Sequence, residues 1–247
     1  MSAAPPRLYS DLAAWWPLVS HPLEYAGEAE DIMKAFREAL GRNPATMLEL
    51  GSGGGNTASH LARYARMTLV ELSPDMLAVS QRLVPSAEHL QGDMRDVRLN
   101  RTFDAVLIHD AIMYMTTEDD LVAALATARA HLAADGVLMV LPDYVAETFS
   151  PGVDTGGRDA PDGSGVRFIE WHQAPAAGST THHTDYAILI RSAGGAVEII
   201  HDRHTVGIFP RRVWQEAFVR AGLALIRSRV DPWGREVFTA RIARAEN

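Results

Sequence analysis

Between Ala45 and Leu141 the chain alternates short apolar runs with longer amphipathic segments, and no other feature restricts its fold as much. The runs are Thr46–Leu50, 67–72, Phe103–Ile108 and 136–141, with His89 to Gln91 standing where a further strand belongs. Segments 57–64, Pro74–Leu83 and 118–132 between them carry apolar residues at helical spacing. Apolar runs suit strands buried on both faces, and helices between successive strands make those strands parallel. The Asp135-Gly136 pair reads as the end of one helix and the start of the next strand.

The flanks differ. The stretch up to about Asn43 reads as helical, with Tyr25, Ala29, Ile32, Met33, Phe36 and Leu40 on one face. An aromatic-rich segment of Tyr9, Leu12, Trp15 and Trp16 precedes it and ends at Pro17. After Pro142 the alternation stops. Residues 150–165 are rich in Gly, Pro and Asp, which predicts a loop or mobile lid. Pieces 166–173, Thr181–Arg191 and 196–209 lie too close together for helical crossovers, so an antiparallel sheet is expected. Pro210 opens a helix running to Gly222, and strands Leu223–Val230 and Glu236–Ile242 flank the turn Asp231-Pro232-Trp233-Gly234. The expected division is one domain of residues 1–142 and 206–247 with an N-terminal helical cap, and an inserted antiparallel lid or acceptor subdomain of residues 143–205.

Composition removes several function classes. With 247 residues, 47% of them hydrophobic, the chain has room for one large α/β domain with an insertion. No apolar run approaches the ~20 residues of a membrane span. The stretch from Met1 to Arg7 has prolines and no apolar core after a basic segment, so it is not read as a signal peptide. Cytoplasm is the expected compartment. The absence of cysteine removes disulfides, thiolate chemistry and cysteine-type zinc sites. A net charge of −8 argues against a nucleic-acid partner, and Arg211-Arg212, Arg227 and Arg229 form only short surface clusters. Lys34 is the only lysine, which leaves no lysine elsewhere for Schiff-base chemistry.

The segment Glu49-Leu50-Gly51-Ser52-Gly53-Gly54-Gly55-Asn56 joins the first strand to a helix. Glycines there permit a sharp turn and close approach of a ligand to the main chain. A dinucleotide fingerprint requires glycine where Asn56 stands. Glu49 would repel a pyrophosphate, whereas it suits the amino group of a methionine moiety. Glu71 follows Gly51 by 71 − 51 = 20 residues, the spacing of an acid that accepts from ribose hydroxyls. Asp93 and Met94 follow the third strand, where an acid and an apolar neighbour could hold an adenine amino group and cover its face.

Glu49-x-Gly51-x-Gly53-x-Gly55, Glu71, Asp93-Met94, the run from Phe103 to Val106 and the run from Leu132 to Gly136 together resemble the ordered motifs of class I methyltransferases. The strands after Pro142, with Tyr9 and Tyr25 in front, resemble the glycine N-methyltransferase-like and deoxyaminosugar N-methyltransferase branch. The resemblance implies a Rossmann-like, mostly parallel seven-stranded sheet with helices on both faces, and S-adenosyl-L-methionine as cofactor. It implies cofactor contacts from Tyr9, Tyr25, Glu49, Gly51, Ser52, Gly53, Glu71, Leu72, Met76, Asp93, Met94, His109 and Asp110.

Methyl transfer from a sulfonium asks the protein mainly for alignment and exclusion of water, with a base only where the acceptor must lose a proton. Candidates for that base follow the fourth strand: His109, Asp110 and Tyr114. In the resembling family a histidine acts near the place of Tyr114, so the assignment stays open, and His109 could instead line the cofactor. Expected acceptor contacts are Tyr114, Asp143, Tyr144, Trp171 and His182. Five of the ten histidines lie in the insertion, read one by one as polar residues on a wetted sheet face. His201-x-x-His204 on a strand points to opposite faces, and no metal is expected. The expected partners are a small-molecule acceptor and a second copy of the chain, with no membrane. The alternatives are a non-catalytic S-adenosylmethionine-binding protein and a nicotinamide-dependent oxidoreductase.

Overall fold

The computed structural model describes residues 6–244, so most of the stretch from Met1 to Arg7 lies outside the described residues. Eleven strands form two sheets: β1 (Thr46–Leu50), β2 (Arg66–Glu71), β3 (Glu88–Gln91), β4 (Phe103–Ile108), β5 (Leu132–Val140), β6 (Gly152–Gly156), β7 (Gly165–His172), β8 (Thr181–Arg191), β9 (Val197–Gly207), β10 (Leu223–Val230) and β11 (Glu236–Ile242). The larger sheet has seven strands in the order β10-β11-β5-β4-β1-β2-β3. Neighbours from β5 through β3 are parallel, and β11 runs antiparallel to both β5 and β10. The strand order reverses between β1 and β4, and their carboxyl ends open a crevice there.

Helices α1 (Trp16–Val19), α2 (Ala26–Leu40), α3 (Asn56–Leu61), α4 (Pro74–Leu83), α5 (Glu118–Ala130) and α6 (Arg211–Arg220) complete the fold. Strand periodicity sorts the core. Met47, Leu69, Leu107 and Met139 face Ile32, Met33 and Phe36 of α2, while Leu48, Val106, Ile108 and Leu138 face Leu121 of α5 and Trp214 and Phe218 of α6. Local signals fix the helix ends. Ser73 caps α4 by accepting from Met76 N at 3.2 Å, with Pro74 at the first position. Thr117 caps α5 by accepting from Asp120 N at 3.1 Å, ahead of three acids that favour the positive helix end.

Three expectations change. Residues 150–165 are not wholly loop, because β6 pairs antiparallel with β7 and opens the four-stranded sheet β6-β7-β8-β9. Asp135-Gly136 does not end a helix: α5 stops at Ala130 and β5 begins at Leu132. The pair sits where the β4–β5 register shifts between Phe103 and Ala105, a bulge against which a Cβ on Gly136 would lie 3.0 Å from Phe103 O. The aromatic segment does not end at Pro17, which is an early residue of α1.

Candidate active site

β1 carries Glu49 into the crevice, and the chain then turns through Gly51 to Gly55 into α3. Gly51 has φ 74° and packs so closely that a Cβ would stand 2.6 Å from Met94 Cε, so only glycine fits. Gly51 N and Ser52 N donate to Val70 O at 2.8 and 3.1 Å, tying the loop to β2. Glu71 ends β2; its Oε2 accepts from Gly53 N at 2.8 Å and its Oε1 from Ser73 N at 2.9 Å. Burial raises the Glu71 carboxyl above the usual range, and these N–H bonds oppose the rise. Asp93 accepts from Arg95 Nε at 3.0 Å and Arg95 N at 2.9 Å, and the Arg95 guanidinium holds its carboxyl low. Met94 is buried behind Gly51, Met76 lies under Gly53, and Leu72 is exposed at the rim.

Glu49 is buried, and burial pushes its carboxyl up to about 8, with His109 opposing the shift. Its Oε2 and Ser52 Oγ have no hydrogen-bond partner among the described residues. Both line a narrow cavity of about 40 Å³ with Gly53, Tyr25 and Trp16. The Trp16 indole lies across Gly54, where a Cβ would come within 2.6 Å of Nε1. Asn56 does not simply replace a glycine: its Nδ2 donates to Ser20 O at 3.2 Å and Ser20 Oγ at 3.0 Å, and Ser20 Oγ is 2.8 Å from the Tyr25 hydroxyl.

A larger cavity of about 270 Å³ adjoins the first and shares Tyr25, His109 and Asp110 with it. Glu28, Asp143 and Arg235 also line it. His109 Nε2 contacts Glu28 Oε1, and Arg235 Nη2 lies 2.7 Å from the same oxygen and 2.8 Å from Asp231 Oδ2. Burial would favour a neutral His109 ring, but Asp110 and Glu28 raise it well above its ordinary value. Asp143 is exposed at the cleft, and desolvation by the surrounding protein together with the nearby Asp110 charge raises its carboxyl.

Tyr114 closes a short 3-10 turn after β4, and its hydroxyl donates to the Tyr9 hydroxyl at 3.1 Å. The Tyr9 ring also packs edge-on against Trp16, with centroids 5.6 Å apart. Tyr144 and His182 form a separate pair through the Tyr144 hydroxyl and His182 Nε2, covered by the Phe149 ring 4.4 Å from the imidazole. Trp171 joins neither group. It alternates with Glu170 and His172 on β7, projects from the opposite face and is 57% exposed, which corrects its expected place among the acceptor contacts. His182 and His204 are buried, so the reading of the insertion's histidines as a wetted face fails for these two.

Comparison with known proteins decides the family. Residues 47–136 match the family model described as a methyltransferase domain. The dTDP-3-amino-3,4,6-trideoxy-alpha-D-glucopyranose N,N-dimethyltransferase of Streptomyces venezuelae is 31% identical over 219 residues, covering 87% of this chain and 90% of that one. The chain belongs to the class I S-adenosylmethionine-dependent methyltransferases. The structure of Streptomyces venezuelae DesVI superposes on this methyltransferase with a TM-score of 0.79 at 29% identity, covering 89% of this chain and 92% of that one. S-adenosylmethionine-bound CalS10, an amino pentose methyltransferase from Micromonospora echinaspora, gives 0.75 at 27% identity, with coverage of 89% and 92%.

The methyltransferase's own residues fit that cofactor. An unpartnered buried carboxylate oxygen and hydroxyl at Glu49 and Ser52 suit the amino-acid end, and Glu71 keeps lone pairs beyond its two backbone bonds. Sequence reasoning missed Trp16, Glu28, Asp231 and Arg235 in this methyltransferase. Glu28 carried a signal, since it shares the buried face of α2 with Ile32. Arg235 carried none for the site, because its nearby partner Asp231 reads as a turn and its other partner, Glu28, lies at the far end of the chain.

Proposed function

We propose that this methyltransferase methylates the amino group of a deoxysugar. The observation that carries this reading is the adjoining cleft of about 270 Å³, where the acids Glu24, Glu28, Asp110 and Asp143 outnumber the cations Arg235 and His109, an acidic excess that suits a small, hydroxyl-rich, cationic acceptor beside the cofactor loop. The names of the similar proteins support it. S-adenosylmethionine supplies an electrophilic methyl group on a sulfonium when bound. Glu49 and Ser52 hold the amino-acid end, Glu71 the ribose hydroxyls, and Asp93 and Met94 the adenine, with Leu72, Met76 and Tyr25 completing the walls. His109 serves as a fixed cation that orients Glu28 and Asp110; already protonated, it is a poor base. Tyr9 packs on Trp16 at the cofactor side, and Tyr114, Tyr144 and His182 are assigned to the acceptor.

Residues 143–205 supply Asp143, Tyr144 and His182 to the acceptor side, and the rest of the chain holds the cofactor and the remaining wall of the cleft. The acidic charge supports a chain without a nucleic-acid partner. Among the described residues no helix is long and apolar enough to cross a membrane; cytoplasm remains the proposed compartment. A homodimer is supported by the outer face of the small sheet, where Ile169, Trp171 and Ile199 stand exposed.

The test is incubation with S-adenosylmethionine and dTDP-3-amino-3,4,6-trideoxy-alpha-D-glucopyranose, followed by mass spectrometry. Stepwise addition of one and then two methyl groups to nitrogen is expected. Intact cofactor binding with methylation of hydroxyl acceptors alone would overturn the amine assignment.

A further inference from the structure

Three buried polar side-chain atoms have no hydrogen-bond partner among the described residues: Glu49 Oε2, Ser52 Oγ and Trp16 Nε1. All three residues line the same narrow cavity beside the glycine loop, and none of the three atoms bonds another. A buried polar group left unpartnered bears its full desolvation cost, and a buried indole N–H ordinarily finds an acceptor. Their chemistries differ. Glu49 is an acid that can face a cation, the Ser52 hydroxyl donates or accepts, and the Trp16 indole only donates. One acid, one hydroxyl and one obligate donor around a single small space match the two charged groups of an α-amino acid, an ammonium and a carboxylate.

The position of Trp16 is fixed by its neighbours. It opens α1, and Pro17 follows at an early helical position. The Tyr9 ring meets the indole edge-on, and Ala13, Met76 and Val79 pack in the same cluster. Gly54 makes the close approach possible, since a Cβ there would stand 2.4 Å from Trp16 Cδ1 and 2.6 Å from Nε1. The indole N–H is therefore held at the loop and shut off from solvent. Among the described residues no arginine or lysine lines this cavity, so a carboxylate inside it depends on other donors. Several of those are already taken. The Asn56 amide donates to Ser20 O and Ser20 Oγ, and the Tyr25 hydroxyl is 2.8 Å from the same Ser20 Oγ. Both ring nitrogens of His109 face carboxylates, those of Glu28 and Asp110. Trp16 and Ser52 keep their donors.

We propose that the indole N–H of Trp16 donates to the α-carboxylate of bound S-adenosylmethionine, with the Ser52 hydroxyl beside it and Glu49 taking the ammonium. This inference rests on the reading above in which Glu49 and Ser52 hold the amino-acid end of the cofactor. A neutral donor bonded to a carboxylate makes the charge-assisted kind of hydrogen bond, the stronger kind. The acid comes from β1 and the obligate donor from α1, so the two ends of the zwitterion are told apart and the methionine moiety enters in one orientation. A ligand that carries the adenosine without the amino-acid end gains nothing from Trp16. One side chain thus covers Gly54 and reads the carboxylate.

The experiment titrates wild type, Trp16→Phe and Glu49→Gln with S-adenosylhomocysteine and with methylthioadenosine, which shares the adenosine and thioether but lacks the amino-acid end. Phenylalanine keeps a ring over Gly54 and removes the donor. Trp16→Phe should bind S-adenosylhomocysteine about tenfold more weakly, the loss expected for one hydrogen bond to a charged group. It should bind methylthioadenosine as wild type does. Equal losses for the two ligands, or no loss for S-adenosylhomocysteine, would overturn the assignment. A second measurement needs no variant: ¹⁵N-resolved NMR of the sequence-specifically assigned indole N–H groups in the wild type. S-adenosylhomocysteine should move the Trp16 N–H proton downfield as its bond forms, and methylthioadenosine should leave it in place. A Trp16 signal that stays put with S-adenosylhomocysteine, or moves alike with both ligands, overturns the inference even where Trp16→Phe fails to fold. Glu49→Gln separates this inference from the reading beneath it. Weakened S-adenosylhomocysteine binding in Glu49→Gln beside wild-type binding in Trp16→Phe removes Trp16 alone. Wild-type binding in both variants moves the amino-acid end out of this cavity.

Discussion

Arg235 Nη2 meets Glu28 Oε1 at 2.7 Å in the wall of the larger cavity, and that same oxygen contacts His109. One carboxylate from α2 thereby links the strand turn before β11 to the residue that follows β4. Burying this charge is tolerable only while its partners stay charged.

A pH dependence of stability follows. His109 is raised above its unfolded value of about 6.5, so its contribution is fully present below that pH and is lost as pH climbs through the folded value. Thermal melts should show the wild type losing stability on the alkaline side of neutrality. His109→Gln should be less stable at pH near 6 and should lack that alkaline loss. Parallel profiles for the two proteins would mean that His109 carries no extra proton.

Glu49 gives a prediction of opposite character. With its carboxyl near 8, the group is mostly protonated at neutral pH, and a ligand ammonium beside it favours ionisation. Binding of S-adenosylhomocysteine at neutral pH should therefore release a proton, and affinity should rise with pH up to about 8. Calorimetry in buffers of different ionisation enthalpy reads this directly. Glu49→Gln should abolish the proton release and weaken binding. It should also raise the melting temperature at alkaline pH, since it removes a carboxylate that ionises without a partner.

Glu71→Ala removes an acceptor for two backbone N–H groups as well as for the ribose. Charge-assisted bonds are worth ~1.5–3 kcal/mol each, so affinity for S-adenosylhomocysteine should fall about tenfold or more. Glu71→Gln should lie between, because one of its two terminal atoms can no longer accept. Wild-type affinity in the Ala variant would remove Glu71 from the ribose site.

Gly53 has φ 53° and open space around its missing Cβ, with Met76 Cε 3.8 Å away. Gly53→Val should therefore cost only the backbone strain of about 1–2 kcal/mol while placing a side chain in the cofactor's path. Folding that survives, seen in melts, together with lost cofactor binding is the expected pair. Normal binding would reduce the loop to a turn.

The sequence revealed most where signals were local. α4 and β4 matched their expected bounds, because a Ser-Pro start and an apolar run between polar flanks each act within a few residues. β6 was illegible: Gly-Val-Asp-Thr-Gly is largely exposed, and only its partner β7 makes it a strand. The acids at the strand ends could be located because the parallel topology dictates where strands finish. The grouping of Glu28, His109, Asp231 and Arg235 could not, since it depends on chain ends meeting in space. The burial of Asp202 and His204 was recoverable in principle, from their period-two match to Ile200 and Val206.

The segment before α2 carries a last consequence. Trp16 rests on Gly54 at the cofactor loop, and Tyr9, bonded through its hydroxyl to Tyr114, packs on that same indole. A change at Trp16 therefore disturbs two contacts at once, the cover over Gly54 and the seat of the Tyr9 ring, because one short stretch of chain holds both.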